Sequence, residues 1–284
     1  MRKFGPFHGY AVFVYLFLYA PIALIVLFSF NSGSNASSFQ GFSVAWYGKM
    51  VSNELMMNAL SNSIIVASTS ATLATVMGVM AALALQRVHG PLRVAFDGLI
   101  YVAIMVPGIV IGIATLIALV TTFGAMNAVL AAIWPGDQPP TLHMGFGSII
   151  AAHTLFSMAL VIVIVRARLA GMDRSLVEAS MDLYADPWAT FLQVTLPLLL
   201  PAVVAGFLLC FTFSFDDYVV ASFVAGPKNT LPIYVFSSIR RGVTPEINAI
   251  GTAVMLFSLT VLFGAQFLLR RGAKPAQKAL AKAG

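Results

Sequence analysis

The stretch YAVFVYLFLYAPIALIVLFSF, residues 10–30, contains no charged side chain. A continuous apolar run of about 20 residues is long enough to cross the roughly 30 Å hydrocarbon core of a bilayer as a helix. A membrane-spanning strand would alternate polar and apolar residues instead, so the run predicts a helix. Five more segments share this character. We therefore expect an all-α integral membrane protein with about six transmembrane helices, at residues 10–30, 58–85, 96–120, 146–165, 196–215 and 247–269.

The composition supports the same conclusion for the whole chain of 284 residues. Hydrophobic residues make up 60% and charged residues only 9%, and the mean hydropathy is +0.92. A soluble domain carries about 25% charged residues, so only lipid makes this surface tolerable. The net charge of +6 does not indicate nucleic acid, because basic runs with stacking aromatics are absent from the sequence. The single cysteine, Cys210, excludes a disulfide framework and a cysteine metal cluster, and we predict no metal site.

The basic residues predict the orientation of the helices. If the six segments alternate in direction, twelve of the 16 lysines and arginines fall on the side of the N-terminus. Cytoplasmic loops carry the excess of lysine and arginine, so both termini are predicted to be cytoplasmic. The chain then forms one transmembrane domain, residues 1–284, with a cytoplasmic loop at 166–195 and a cytoplasmic tail at 270–284.

The loop between the fourth and fifth segments is too polar to cross a membrane but has the pattern of helices. Ser175 and Glu178 have the spacing of a capping box, which predicts a helix start. Asp186 followed by Pro187 predicts a second helix, with the aspartate as N-cap and the proline in the first turn. Two short helices joined by a turn would form a compact knob suited to a groove on another protein.

The knob also carries a motif of a known family. Glu178-Ala179-Ser180, Tyr184-Ala185 and Leu196-Pro197 resemble, with matching spacing, the "EAA" loop of type I ABC importer permeases. The resemblance implies that these residues form a coupling helix, which transmits the motion of an ATPase to the membrane helices. Two residues depart from the family pattern, since Ser180 replaces an alanine and Tyr184 replaces a glycine. Glycine is used where the backbone turns left-handed, so we expect either a rebuilt turn or a tyrosine that contacts the partner.

Further short matches extend the resemblance over most of the chain, to the spermidine/putrescine permease branch. They are Tyr19-Ala20-Pro21, Ser29-Phe30-Asn31, Trp46-Tyr47, His153-Thr154-Leu155-Phe156, Asp216-Asp217, Ser222 to Pro227 and Pro245 to Ala249. This resemblance implies a permease subunit in the bacterial inner membrane, with two ATP-binding-cassette ATPase subunits, a second and related permease chain, and a periplasmic solute-binding protein as partners. ATP and magnesium would be bound by the ATPase subunits, and this chain would hold no cofactor.

Asp216 and Asp217 are the predicted substrate path. They follow the fifth apolar segment near the outer face, where ionised groups are costly unless they face water, a partner or a cation. Paired carboxylates suit a polyamine, although capping of the helix end or pairing with an arginine would also explain them. Trp46 and Tyr47 are expected to anchor the protein at the membrane interface, or to form cation–π contacts with a passing ammonium group.

The sequence also bears on three alternatives to polyamine import: another cargo, an enzyme, and a secondary transporter or channel. Polyamine permeases of this branch often carry an acidic residue after the proline of the third helix, but Gly108 follows Pro107 here. Another small organic solute therefore remains an alternative cargo. The chain contains no phosphate-binding loop of the G-x-x-x-x-G-K-[ST] type and no serine–histidine–carboxylate set, so it is not predicted to be an enzyme. A secondary transporter or channel would leave the polar knob unexplained.

Overall fold

A computed structural model of the chain describes residues 6–34, 38–242, 244–260 and 263–264, with the side chains of residues 6–8 left out. The described residues are helical, and their β-structure is limited to an isolated bridge between Asn31 and Phe42. The chain divides into two compact units. One holds the residues up to Asn58 together with those from Tyr234 onward, and the other runs from Ala59 to Ile233.

The first unit begins with a helix that is apolar on every side. Helix α1 (Pro6–Ser29) has its side chains almost entirely exposed within the protein, which is tolerable only if lipid covers them. Helix α2 (Ala45–Ser52) follows, and the first residues of α3 (Glu54–Leu85) belong to this unit too. Near its end the unit contains most of α11 (Leu231–Ile239) and helix α12, residues 245–260.

The second unit contains the rest of α3 and the elements that follow it along the chain. These are α4 (Pro91–Met105), α5 (Gly108–Ile133), α6 (Phe146–Ala170), α7 (Ser175–Asp182), α8 (Pro187–Thr190), a π-helical turn (Phe191–Thr195), α9 (Leu196–Asp216) and α10 (Val219–Val224). Of the long helices described, α6 is the most deeply buried. Its Val161 and Val165 pack in one apolar core with alanines of α3 and with Leu199 of α9.

The helix boundaries differ from the predicted segments in two places. The third segment, 96–120, is not one helix, because the chain breaks at Val106-Pro107 between α4 and α5. Proline has no N–H to donate and forces the preceding residue out of the helical conformation, and Val106 accordingly has a ψ of 130°. The fifth segment starts earlier than predicted, because α8, the π-helical turn and α9 form one continuous span, Pro187–Asp216.

Five of the described helices are long and apolar enough to cross a membrane. The sixth predicted segment, 247–269, is helical over residues 247–260, and part of its remainder lies outside the described residues. The predicted tail, 270–284, lies wholly outside them. The all-α architecture is thus confirmed, with six as an approximate number of membrane helices.

Small residues of α3 decide how closely it approaches α6. A methyl group added at Gly78 would lie 2.7 Å from Cβ of Val161, a branched side chain that cannot swing away. We therefore expect Gly78→Ala to destabilise the detergent-solubilised protein by about 1–3 kcal/mol, as overpacking does. The thermal unfolding midpoint measures this effect.

Gly124→Ala is the matched control, because nothing lies within 4 Å of a methyl group at that helical position. It should leave the midpoint unchanged or raise it, since alanine is the better helix former. Equal midpoints for the two variants would show that α3 and α6 do not pack as closely as described.

Candidate functional site

The predicted knob is present between α6 and α9. It consists of α7, the turn Leu183–Asp186 and α8. The second short helix does not stand alone, however. The π-helical turn joins α8 to α9 without a break, so the knob and a membrane-spanning helix share one backbone. A π-turn of this kind often marks a functional site.

The start of α7 differs from the prediction. Ser175 and Glu178 do not form a capping box, because Ser175 is already the first helical residue and Arg174 holds the N-cap position without a side-chain bond. Asp173 performs the capping instead, since its Oδ1 accepts the backbone N–H of Ser175 at 3.0 Å. This bond and one from the Ser175 side chain hold the pKa of Asp173 below its usual range. The cap is therefore present at neutral pH and is lost as the pH falls through that lowered pKa.

Tyr184 occupies the left-handed turn that ends α7. Its φ is 61°, and it is the only residue other than glycine with a positive φ in the described part of the chain. The backbone N–H of Ala185 donates to Ser180 and that of Tyr184 to Met181, which together form a Schellman motif. The turn is thus not rebuilt. The conformation costs roughly 1–2 kcal/mol for a residue with a Cβ, so Tyr184 is tolerated in a position that favours glycine.

Tyr184 is 97% exposed at the tip of the knob. Leu183 is 82% exposed beside it, and Trp188 at the start of α8 is 67% exposed while its ring stacks on Phe191. Leu183 and Trp188 were not among the predicted coupling residues, although large apolar side chains in a polar loop are a signal that could have identified them. Such a cluster outside the apolar helices is characteristic of a contact surface.

The other predicted coupling residues lie in or next to the knob. Ala179 and Glu178 are exposed on α7, and Glu178 lines a groove of about 800 Å³ with Arg87 and Arg174. Ser180, the second departure from the family pattern, shares a hydrogen bond of 3.0 Å with the buried hydroxyl of Thr190 and so ties α7 to α8. Leu196 and Pro197 are the first two residues of α9, directly after the π-helical turn.

The two adjacent aspartates at the end of α9 have different surroundings. Asp216 is the last residue of the helix and is exposed within the protein. Asp217 is the C-cap residue, and its side chain is only 17% exposed. Its Oδ2 accepts the backbone N–H of Ala221 in α10 at 2.8 Å and lies 3.2 Å from Nε2 of His153. The carboxylate of Asp217 thus accepts a hydrogen bond in the first turn of α10 and lies next to the imidazole of His153. Asp216, in contrast, is exposed.

His153 connects three membrane-spanning helices through hydroxyl groups. Its Nδ1 lies 2.7 Å from Oγ of Ser214 on α9, and that oxygen lies 2.9 Å from Oγ of Ser70 on α3. All three side chains are buried. The structure thus gives His153 a hydrogen bond that joins two helices. It also reveals the proximity of Asp217, 64 positions along the chain, which no sequence pattern indicated.

A cavity of about 260 Å³ lies beside Asp217. Its walls include the Pro107 break, through Val106 and Gly108, and the aromatic rings of Phe156 and Phe213. Gly108, which departs from the family pattern, contributes no side chain to this space. The cavity therefore combines one carboxylate with aromatic and aliphatic walls, a lining suited to an organic cation.

Trp46 and Tyr47 lie in the first unit, on α2, and bind the loop that precedes it. Nε1 of Trp46 donates to the carbonyl of Gly33 at 3.2 Å, and the hydroxyl of Tyr47 lies 2.8 Å from that of Ser29. The ammonium of Lys49 lies 4.0 Å from the centre of the Trp46 ring. One face of the Trp46 ring is thus already in contact with the ammonium of Lys49. This contact favours an anchor at the membrane interface over a contact with cargo.

Comparisons with known proteins agree with this architecture. Residues 74–274 match the family model described as "Binding-protein-dependent transport system inner membrane component". The chain is 39% identical to the putrescine transport system permease protein PotI of Escherichia coli K12, over 92% of this chain and 89% of that protein. It is 36% identical to the spermidine/putrescine transport system permease protein PotC of Haemophilus influenzae, over 95% and 99% of the two chains.

Solved structures show the same fold at lower identity. A chain of a bacterial ABC transporter that imports the acidic polysaccharide alginate superposes with a TM-score of 0.68 at 16% identity, covering 92% of each chain. A chain of an amino acid ABC transporter superposes with a TM-score of 0.57 at 18% identity, over 80% of this chain and 98% of that one. The arrangement of helices is thus one found in the membrane subunits of ABC importers.

The start of α8 gives a direct test of how the knob is built. Oδ1 of Asp186 accepts the backbone N–H groups of Trp188 and Ala189 at 2.8 and 3.0 Å. Loss of an N-cap costs about 1 kcal/mol, so Asp186→Ala should accelerate amide hydrogen exchange at these two positions roughly fivefold. Asp182→Ala removes the same charge from the end of α7 and should not change exchange in α8. Equal exchange in the two variants would contradict the assigned cap.

Proposed function

Because the chain belongs to the family of binding-protein-dependent transport system inner membrane components, it is the permease subunit of an ABC importer, and we propose that its cargo is a polyamine. Permease subunits of this family are not enzymes, since ATP is hydrolysed by a separate subunit. The proposal for the cargo rests on the carboxylates at the end of α9, and the names of the relatives from Escherichia coli and Haemophilus influenzae support it.

The coupling function is proposed for the knob. Its exposed ring at Tyr184 and the neighbouring Leu183 and Trp188 form an apolar tip that can enter a groove on an ATPase subunit. Glu178, Ala179, Ser180 and Ala185 would position this tip through α7 and its Schellman turn. A tyrosine that keeps a strained left-handed conformation while its ring remains exposed is best explained by a contact with a partner.

The continuity of α8 with α9 gives the knob a route to the cargo. Helix α9 has 21 residues and is roughly 30 Å long. It begins at Leu196-Pro197 next to the knob and ends at the carboxylate of Asp216. A displacement of the knob by the ATPase would therefore be passed along the continuous backbone of α9 to Asp216, its last residue. We infer that α9 is the mechanical link between ATP hydrolysis and the cargo path.

Asp216 and Asp217 are proposed to contact the ammonium groups of the cargo. Asp216 is exposed and free to face a water-filled path between two permease chains. Asp217 borders the cavity beside Gly108. The missing acidic residue at position 108 leaves one carboxylate fewer than polyamine permeases of this branch often carry, so another small organic solute is the alternative cargo. Trp46 and Tyr47 are proposed as anchors at the membrane interface rather than as cargo ligands.

The partners follow from the importer class. The chain is a multi-pass protein of the inner membrane that works with an ATPase and a solute-binding protein. In finer detail, we propose two ATPase subunits that bind ATP and magnesium, a second permease chain that is related but different, and a periplasmic binding protein that selects the cargo. Both termini are proposed to be cytoplasmic, because most lysines and arginines then lie inside.

The role of the Tyr184 ring can be separated from the strain of its turn. Tyr184→Gly should relieve the left-handed conformation but remove the docking ring. We expect ATP hydrolysis stimulated by the binding protein and cargo to fall severalfold in proteoliposomes that hold the complete complex. Tyr184→Phe keeps the ring and should retain most of the stimulation.

Tyr184→Asn is the matched control, because asparagine tolerates the left-handed region and has no ring. It should behave like Tyr184→Gly. If both variants keep full stimulation, the ring is not a coupling contact and Tyr184 is merely tolerated in the turn.

Uptake of labelled putrescine and spermidine tests the cargo. Cells that lack other polyamine carriers and express this chain with its partner subunits should accumulate both compounds. The double variant Asp216→Asn with Asp217→Asn should reduce uptake at least about tenfold, because each lost charge pair at such a site is worth more than 1 kcal/mol. Asp137→Asn, in the exposed loop after α5, is the control and should transport normally.

Two results would contradict this proposal in different ways. If the complex assembles and hydrolyses ATP but takes up neither compound, the cargo is a different solute. If uptake occurs and survives in the double aspartate variant, the two carboxylates are part of the architecture rather than of the path.

A further inference from the structure

The hydrogen bonds around His153 determine which ring nitrogen carries a hydrogen. Ser70 has a single hydroxyl hydrogen and donates it to the carbonyl of Val66 at 2.7 Å, because a carbonyl oxygen can only accept. The Ser70 oxygen must then accept the hydroxyl hydrogen of Ser214, 2.9 Å away. The Ser214 oxygen is left to accept from Nδ1 of His153 at 2.7 Å. Nδ1 therefore carries a hydrogen whether the imidazole is neutral or charged.

Nε2 is consequently the nitrogen that gains or loses a proton. It is buried and makes no aligned hydrogen bond among the described residues, yet it lies 3.2 Å from Oδ2 of Asp217. When Nε2 is unprotonated, its lone pair faces an ionised oxygen, and that arrangement is repulsive in a low-dielectric interior. One positive charge resolves the conflict. It can be a proton on Nε2 or a cation next to the carboxylate.

The cavity beside Asp217 has room for such a cation. Its volume is about 260 Å³, whereas a water molecule, which is close in size to an ammonium group, occupies roughly 30 Å³ of liquid. Oδ2 of Asp217 is engaged by the N–H of Ala221 and faces His153. The rings of Phe156 and Phe213 form part of the wall, and the face of an aromatic ring attracts an ammonium group.

We propose that His153 and Asp217 form a site for one monovalent cation, held alternately as a proton on His153 and as an ammonium group of the cargo next to Asp217. The identity of the amine rests on the proposed function, whereas the binding of a proton to His153 does not depend on it. The two cations compete, so protonation of His153 weakens the hold of Asp217 on the cargo and favours its release. Acid conditions are expected to lower the apparent affinity for an amine.

The other titratable groups on the elements packed against α6 lie away from this pair or are adjacent to it in the chain. Asp97 and Arg93 of α4 form an ion-paired cluster with Arg166, which is thirteen residues from position 153 and therefore roughly 20 Å along α6. Asp216 is exposed, and Tyr218 follows Asp217 directly in the chain. The buried thiol of Cys210 on α9 donates to the carbonyl of Ser157, one turn along α6 from His153, and Tyr101 of α4 lies in the pocket that Arg166 lines. Helices α5 and α10 and the part of α3 in this unit contain no charged side chain. The proton thus has one close counter-charge, the carboxylate of Asp217.

Transport kinetics test the competition. Putrescine uptake would be measured between about pH 5 and 8, the range in which imidazole titrates, in proteoliposomes with the full complex. The apparent KM should rise as the pH falls, by up to about tenfold per pH unit. His153→Asn keeps an amide donor for Ser214 and carries no titratable group toward Asp217, so its KM should lose this pH dependence. His153→Gln, which can place an amide near Asp217, should lose it as well.

Two results would overturn the proposal. One is a wild-type KM that does not change with pH, and the other is an unchanged pH dependence in either histidine variant that still assembles with its partners. Comparing variants within the same complex removes the pH effects of the ATPase and of the binding protein, because these are common to all samples.

Failure of the proposed function would look different, because wild-type protein would then transport no putrescine at any pH. The pair can still be tested by NMR titration of the imidazole rings, since the chain has only 4 histidines and His153→Asn identifies the signal. In Asp217→Asn the titration curve of His153 should differ from that of the wild type, because the carboxylate 3.2 Å from its Nε2 has been removed. Identical curves in wild type and variant would overturn the proposal.

Discussion

The structure depends on the requirement that each backbone polar group at membrane depth find its partner within the protein, because hydrocarbon offers none. Long helices satisfy this requirement, and the two places where they end early are compensated locally. At the Pro107 break, the N–H groups of Val106 and Val110 donate to Val102 and Pro107. After α9, the carboxylate of Asp217 accepts from Ala221. The cavity next to Asp217 lies between these two breaks, so the candidate transport site occurs where the helical pattern is interrupted.

Packing of small residues allows polar groups to be buried in the same region. Because α3 presents Gly78 and alanines to α6, the two backbones approach closely and exclude lipid from the α6 core. His153, Ser70 and Ser214 are buried within this packing, each bonded to another helix or to its own backbone. An ionisable side chain inside a membrane protein is costly and is commonly functional. Its placement next to Asp217 is therefore consistent with a transport function rather than with packing alone.

The knob and the aspartates are joined by one helix, and this arrangement explains features that otherwise look unrelated. The π-helical turn keeps α8 continuous with α9, the bond between Ser180 and Thr190 fixes α7 to α8, and the Schellman turn presents the ring of Tyr184 outward. Through these contacts one continuous backbone joins an exposed tip to a carboxylate about one membrane thickness away.

The sequence by itself determined the class of the protein, the number of apolar segments to within one, the cap at Asp186 and the position of the knob. These features are set by local chemistry: lipid requires apolar runs, and an aspartate before a proline caps a helix. Only the structure revealed that Asp173 caps α7, that Tyr184 adopts the left-handed turn, and that Trp46 faces Lys49. It also placed His153 next to Asp217. This proximity depends on how α6 and α9 pack against each other, and the spacing of residues along the chain does not encode the distance between side chains on separate helices.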